Sequence, residues 1–311
     1  MKTDYVFVVG CNRSGTSLLR QILNKSAELC LCPETHFLRR LASDSVNQTR
    51  QRFGDLSLES NVRRFVNYIY ADHRTLKISY WLWLKRNFTR EEFTRRVLET
   101  DRSDRALFQT LMQIYAETAK PAHTDLILGE KTPTHLYHVP TLLQWFPNAR
   151  VIHMMRDPRA IIVSKLKKVN RKTSRDGFLK PLGEVPQRVL APLADPVEVV
   201  HTSTAWMDAA RLHDKYMHHY SDQYRLLRFE DLIADPEANI KKICAFVGVE
   251  FDPTMLQGIH VIASSYSSEH RGMKGIDARA LDRWREHSHP LVNAGFAILG
   301  RAQLERFGYA P

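Results

Sequence analysis

Two arginine-bearing segments of this chain have residue types and spacing suited to holding phosphate. The first is Gly10-Cys11-Asn12-Arg13-Ser14-Gly15-Thr16-Ser17. A glycine-bearing turn between a strand and a helix lets backbone N–H groups and the helix dipole cradle an anion. In a triphosphate-binding loop of this spacing, a lysine directly after the second glycine reaches the terminal phosphates, and the next hydroxyl holds magnesium. Here the lysine position is Thr16. The loop is therefore poorly equipped for triphosphate chemistry and better suited to a single 5′-phosphate, with Arg13 supplying positive charge from inside the loop. The second segment is Arg156-Asp157-Pro158-Arg159. Asp157 is a natural N-cap and Pro158 a natural first helical residue, which puts Arg156 at a strand end beside a helix N-terminus.

These groups need a scaffold that brings strand ends and helix starts together. Short apolar runs predict strands at Tyr5 to Gly10, Leu29 to Cys32, Leu126 to Gly129, Arg150 to Met155 and Tyr224 to Phe229. Helical spacing of apolar residues predicts helices at Thr16 to Asn24, Val139 to Phe146, Pro158 to Lys168, His201 to His219, Pro236 to Phe246 and near Leu291 to Arg306. Strands alternating with helices imply right-handed crossovers and a parallel sheet covered on both faces, a three-layer α/β architecture. The segment from Ser60 to Lys120 reads as mainly helical, an insertion in a single domain over residues 1–311, since no repeat or linker marks a boundary.

Composition narrows the function. The chain is 43% hydrophobic and 25% charged, ordinary for a globular protein. No run of about 18 apolar residues marks a membrane span, and the N-terminus enters a strand at once rather than an export signal, so a cytoplasmic protein is expected. Cys11, Cys30, Cys32 and Cys244 lack paired zinc spacing and read as reduced, packed thiols. The formal charge of +11 calls for an anionic partner, and it is concentrated between Lys165 and Arg188, where only Asp176 and Glu184 oppose the lysines and arginines. That stretch reads equally as a solvated loop or as a basic rim. No nucleic-acid-binding signature accompanies it, so nucleic acid is not the expected partner.

The loop Arg13-Ser14-Gly15-Thr16-Ser17 resembles the 5′-phosphosulfate-binding loop of the sulfotransferase family, particularly its tyrosylprotein and carbohydrate branches. The resemblance implies a P-loop-like fold and 3′-phosphoadenosine 5′-phosphosulfate (PAPS) as co-substrate, adenosine 3′,5′-bisphosphate (PAP) as product, and no metal. It implies Glu34, in Pro33-Glu34-Thr35-His36, as the catalytic base, with His36 standing where the tyrosylprotein branch has arginine. Arg156 and Ser164 match the 3′-phosphate motif of the family, and two phosphate sites at opposite ends of a nucleoside suit a 3′,5′-bisphosphate better than a triphosphate. Lys131, in Gly129-Glu130-Lys131-Thr132-Pro133, corresponds to a lysine that neutralises the leaving phosphate. Phe229 stands where relatives place a tyrosine against the nucleotide, and keeps only the ring for stacking or for the core. Ser268 and Arg283, near Trp284, are similar to donor contacts of the tyrosylprotein branch.

Three readings follow. The first is in-line sulfuryl transfer to a hydroxyl, with Glu34 as base, its pKa raised by partial burial, and Lys131, Arg13 and Ser268 stabilising the leaving oxygen. His36, His135 and His153 are competing bases, since other sulfotransferases use histidine. The second is an atypical P-loop kinase, and the third a non-catalytic anion-binding module. The acceptor is open among peptidyl tyrosine, a sugar, a lipid headgroup and a small phenol. Phe65 to Tyr70 and Tyr80 to Leu84 would serve an apolar acceptor pocket, a core or a homodimer interface alike.

Overall fold

The computed structural model describes residues 3–43, 50–71, 81–166, 187–259 and 300–309, with Ile276, Leu281, Asp282, Trp284 and Arg285; for 187–195 it describes the backbone. Five strands, β1 (Tyr5–Gly10), β2 (Leu29–Cys32), β3 (Ile127–Lys131), β4 (Arg150–Met155) and β5 (Tyr224–Arg228), form one parallel sheet in the order β2-β3-β1-β4-β5. β1 is the centre, and its alternating side chains divide the core. Val6 and Val8 face a layer that contains Leu19 and Ile22 of α1 (Thr16–Leu23), Leu232 of α10 (Phe229–Ala234) and Ile240 and Ile243 of α11 (Pro236–Val247). Phe7 and Val9 face the opposite layer.

That second layer holds α3 (Glu59–Tyr70), α4 (Leu82–Asn87), α5 (Arg90–Leu98), α6 (Asp104–Ala119) and α7 (Val139–Trp145), as well as α9 (Gln187–His219). The one-turn α2 (Phe37–Arg40) follows β2, and α3 to α6 come between it and β3, where the sequence predicts a helical insertion. Val66 and Ile69 of α3 and Leu84 of α4 are fully buried, and Trp81 nearly so. They join Phe7, Phe108 and Phe146 in one continuous core, so these apolar runs pack the scaffold.

Three boundaries differ from the sequence expectation. β3 extends through Glu130 and Lys131 rather than stopping at Gly129, because both charged side chains find partners inside the protein. Phe229 begins α10 instead of ending β5. α9 starts at Gln187, well before His201, despite Pro192 and Pro196. The helix predicted from Pro158 is present over residues 158–166 (α8), and the final helix is described at Arg301–Arg306 (α12). Among the described residues, no helix is long and apolar enough to cross a membrane.

Candidate active site

In an open parallel sheet, ligands bind at the C-terminal ends of the strands, where helix N-termini and loops converge. All the described candidate residues lie along that edge or, in the case of Ser164, on the helix that leaves it. Glu34 follows β2, Lys131 ends β3, the Gly10–Ser17 loop follows β1, Arg156 follows β4, and Phe229 follows β5.

The backbone of the loop after β1 calls for glycine at two positions and holds an arginine in a conformation that residue rarely adopts. Gly10 has φ 148° and Gly15 has φ 99°, and Arg13 takes a left-handed φ of 78°. Space is equally restrictive at Gly15. A Cβ there would lie 2.5 Å from Cδ2 of Phe229. Ser14, fully buried, ties the turn by donating its hydroxyl to the Cys11 carbonyl at 2.8 Å. Gly15 caps α1, whose first N–H groups have no partner within the helix. Thr16 and Ser17 open that helix.

The second arginine segment meets this loop directly. Arg13 donates from Nε to Ser164 Oγ at 2.9 Å, and Arg156 donates from Nη1 to the Arg13 carbonyl at 3.3 Å. Residues distant in the chain thus form one basic corner. The Arg156 guanidinium sits 4.1 Å over the Phe229 ring centre, a cation–π contact that also walls Gly15. The ring is 2% exposed and belongs to the core, which leaves little of its face for a nucleotide. Burial brings the Arg156 pKa down to about 10, with Glu230 opposing and the Arg13 charge adding to the fall, so the group stays cationic at neutral pH. Asp157 caps α8 as predicted, accepting from the Arg159 backbone N–H at 2.9 Å, and also grips the Arg159 side chain. Glu230 accepts from the Asp157 N–H at 3.0 Å and from Tyr309 Oη at 3.1 Å, which fastens the chain's C-terminal segment to this corner. Neither Glu230 nor Tyr309 was visible as a contributor in the sequence.

On the other side of the loop, Glu34 forms an ion pair with Lys131 and lies 3.1 Å from His36 Nε2. His36 adopts a left-handed φ of 52°, which folds its ring back toward Glu34. The expected rise in the Glu34 pKa is reversed. Burial pushes it up, but the His36 hydrogen bond and the Lys131 charge outweigh burial and hold it at about 2. Lys131, 4% exposed, is pulled down by burial and supported by Glu34.

Beneath this pair lies a group that the sequence reading passed over. Glu130 is 1% exposed and its Oε1 accepts from the Thr35 N–H at 2.9 Å, from Thr35 Oγ1 at 2.8 Å and from Thr132 Oγ1. Its Oε2 lies 2.9 Å from His135 Nδ1. A carboxylate at the end of an apolar strand, beside Lys131, was the available signal. The arrangement also buries two of the competing bases. His135 is fully buried against Glu130. His153 is fully buried on β4 with Nδ1 2.5 Å from Tyr224 Oη, and burial holds its pKa at about 3. Ser268 and Arg283 lie outside the described residues, as does most of the basic stretch after Ser164. Trp284, beside Arg283 in the chain, packs on Ala160 and Val163 of α8 and lies 4.7 Å from the Arg159 guanidinium. Among the described residues, no cluster of histidine, cysteine or carboxylate groups has metal-binding geometry.

Fold and site together define a P-loop-like α/β protein whose phosphate-type loop lacks the triphosphate lysine. The model of the sulfotransferase family matches residues 5–253, and the chain belongs to that family. The omega-hydroxy-beta-dihydromenaquinone-9 sulfotransferase Stf3 of Mycobacterium bovis is 27% identical over 146 residues, 47% of this chain and 33% of that protein. Carbohydrate sulfotransferase 5 of Mus musculus is 29% identical over 217 residues, 68% of this chain and 53% of its own length. Protein-tyrosine sulfotransferase 2 of Gallus gallus is 23% identical over 314 residues, covering 98% of this chain and 69% of the relative. The chain thus spans from a third to about half of the first two. In fold, it is similar to the sulfotransferase domain of the Synechococcus PCC 7002 olefin synthase, with TM-score 0.58, 18% identity and coverage of 100% of this chain and 97% of that one.

Proposed function

We propose that this protein transfers the sulfuryl group of PAPS to a hydroxyl acceptor, using residues 1–311 as one catalytic unit and no metal. The observation that carries the reading is the position of Glu34 and Lys131 on one side of the Gly10–Ser17 loop, with Arg13, Ser164 and Arg156 gathered on the other. The loop and the start of α1 suit the 5′-phosphate of the donor. Arg156 and Ser164 suit its 3′-phosphate, one as a buried cation and the other as a hydroxyl donor.

In this reading, Glu34 accepts the proton of the acceptor hydroxyl as that oxygen forms its bond to sulfur and the bond from sulfur to the phosphate oxygen breaks. Lys131 neutralises the charge that appears on the leaving phosphate. A base in this role is worth about 10² to 10⁴ in rate. Because Lys131 is the counter-charge that helps depress Glu34, a phosphosulfate anion that engages Lys131 would restore basicity to the carboxylate. The relatives' names include menaquinone, carbohydrate and protein-tyrosine sulfotransferases, which keeps lipid, sugar and peptide hydroxyls as acceptor classes for this chain.

The test is a transfer assay with sulfur-labelled PAPS against a peptidyl tyrosine, a sugar, a lipid alcohol and a small phenol, in wild type and Glu34→Gln. Label transfer to one class by wild type, lost in Glu34→Gln while PAP affinity is kept, is the expected result. Near-normal turnover in Glu34→Gln removes the residue from this role. Thermal stabilisation by magnesium–ATP but not by PAP would instead favour the kinase reading.

A further inference from the structure

The buried carboxylate Glu130 joins the segments that follow β2 and β3. Its oxygens take the Thr35 N–H and hydroxyl from the segment after β2, and the Thr132 hydroxyl from the segment after β3. The linkage continues outward. Thr35 Oγ1 accepts from the Phe37 N–H at 3.1 Å, Thr132 Oγ1 from the His36 N–H at 3.4 Å, and His135 Nε2 from the Leu38 N–H at 3.4 Å. That last contact uses the Nε2 lone pair and leaves Nδ1 2.9 Å from Glu130 Oε2. Thr35, Thr132 and His135 are all fully buried.

Chain geometry turns this network into a positioning device. Glu34 immediately precedes Thr35, and Lys131 lies between Glu130 and Thr132. The inner contact, Thr35 to Glu130, therefore fixes the register of the outer one, Glu34 to Lys131. It also holds His36 in the left-handed conformation that turns its ring toward Glu34. The Glu34–Lys131 pair is itself partly buried, and behind it a buried carboxylate with several donors is rigid and sensitive to the loss of any partner.

We propose that Glu130 is a positioning residue for sulfuryl transfer, acting through Thr35 and Thr132 to hold Glu34 opposite Lys131. The proposal rests on the reading of Glu34 as base. A displacement of a catalytic group by about 1 Å can cost on the order of 100-fold in rate. Glu130→Gln keeps the shape and one acceptor oxygen while removing the charge, so it should lower kcat by about that factor. PAP affinity should stay within about 2-fold of wild type, because the basic corner at Arg13 and Arg156 is built by other strands.

The experiment is a double-mutant cycle of Glu130→Gln and Glu34→Gln, reading kcat, KM for PAPS and the Kd of PAP. Glu130→Gln should lower kcat with little change in KM, and should cause no further loss in the Glu34→Gln background. Thr132→Val is the second variant should Glu130→Gln fail to fold, and should show the same pattern more weakly. A loss that multiplies through the Glu34→Gln background, or a parallel loss of PAP affinity, would mark a merely structural group and overturn the proposal. Normal turnover in Glu130→Gln beside a dead Glu34→Gln overturns the positioning role alone. Near-normal turnover in Glu34→Gln overturns the base reading, and the proposal with it.

Discussion

The Arg156 guanidinium donates to the backbone carbonyl of Arg13 at 3.3 Å, so the strand end after β4 and the loop after β1 share one hydrogen bond. Arg13 in turn reaches Ser164 on α8 at 2.9 Å. The two basic segments that the sequence presents separately are one surface.

Arg156→Ala should weaken PAP binding by about 10- to 100-fold, the range of a lost hydrogen bond to a charged group. Part of the loss would come through the Arg13 carbonyl and the Phe229 ring, which both lose a neighbour. Calorimetric titration of PAP checks this. Unchanged affinity would place the 3′-phosphate elsewhere.

Gly15→Ala should destabilise the fold by about 1 to 3 kcal/mol, because the new methyl group meets the Phe229 ring at a left-handed backbone position. PAP binding should fall with it, since the loop and the start of α1 move together. Denaturant unfolding with and without PAP measures both effects.

His36→Ala should raise the Glu34 pKa, since burial would then be opposed mainly by the Lys131 charge. The acid limb of kcat/KM should accordingly move to higher pH than in wild type, measured between pH 4 and 8 as an approximate working range. The same depression has a stability consequence. A carboxylate whose folded pKa lies below its ordinary value of 4.5 stabilises the native state above that pH, and the contribution is lost as pH falls toward about 2. Wild type and Glu34→Gln should therefore converge in stability over that window.

Tyr309→Phe should cost about 1 kcal/mol through the lost hydrogen bond to Glu230. Glu230 also accepts from the Asp157 N–H, so a small loss of PAP affinity should accompany the drop in Tm. A change in Tm without any change in PAP affinity would show that the C-terminal segment supports the fold but not the basic corner.

Much of this architecture was legible in the chain. Apolar runs bounded by turn residues marked all five strands, and the Gly10 to Ser17 spacing marked the loop, because both signals are local. The missed boundaries have non-local causes. β3 runs on through Glu130 and Lys131 only because Thr35 and Glu34 come from another strand to meet them. α9 begins before two prolines that ordinarily argue against a helix interior. The pKa of Glu34 went the opposite way for a local reason as well. Burial was foreseeable from an apolar neighbourhood, but the left-handed backbone that turns the His36 ring onto the carboxylate, in addition to the Lys131 charge, was not.

The order β2-β3-β1-β4-β5 gives every strand one contribution to the same edge. The basic corner draws on the ends of β1, β4 and β5, so affinity for a bisphosphonucleoside should appear only once those three strands have paired. PAP would then serve as a reporter of folding as well as of catalysis. In a heated or denatured population, the share of molecules able to capture it should follow the loss of parallel strand pairing itself.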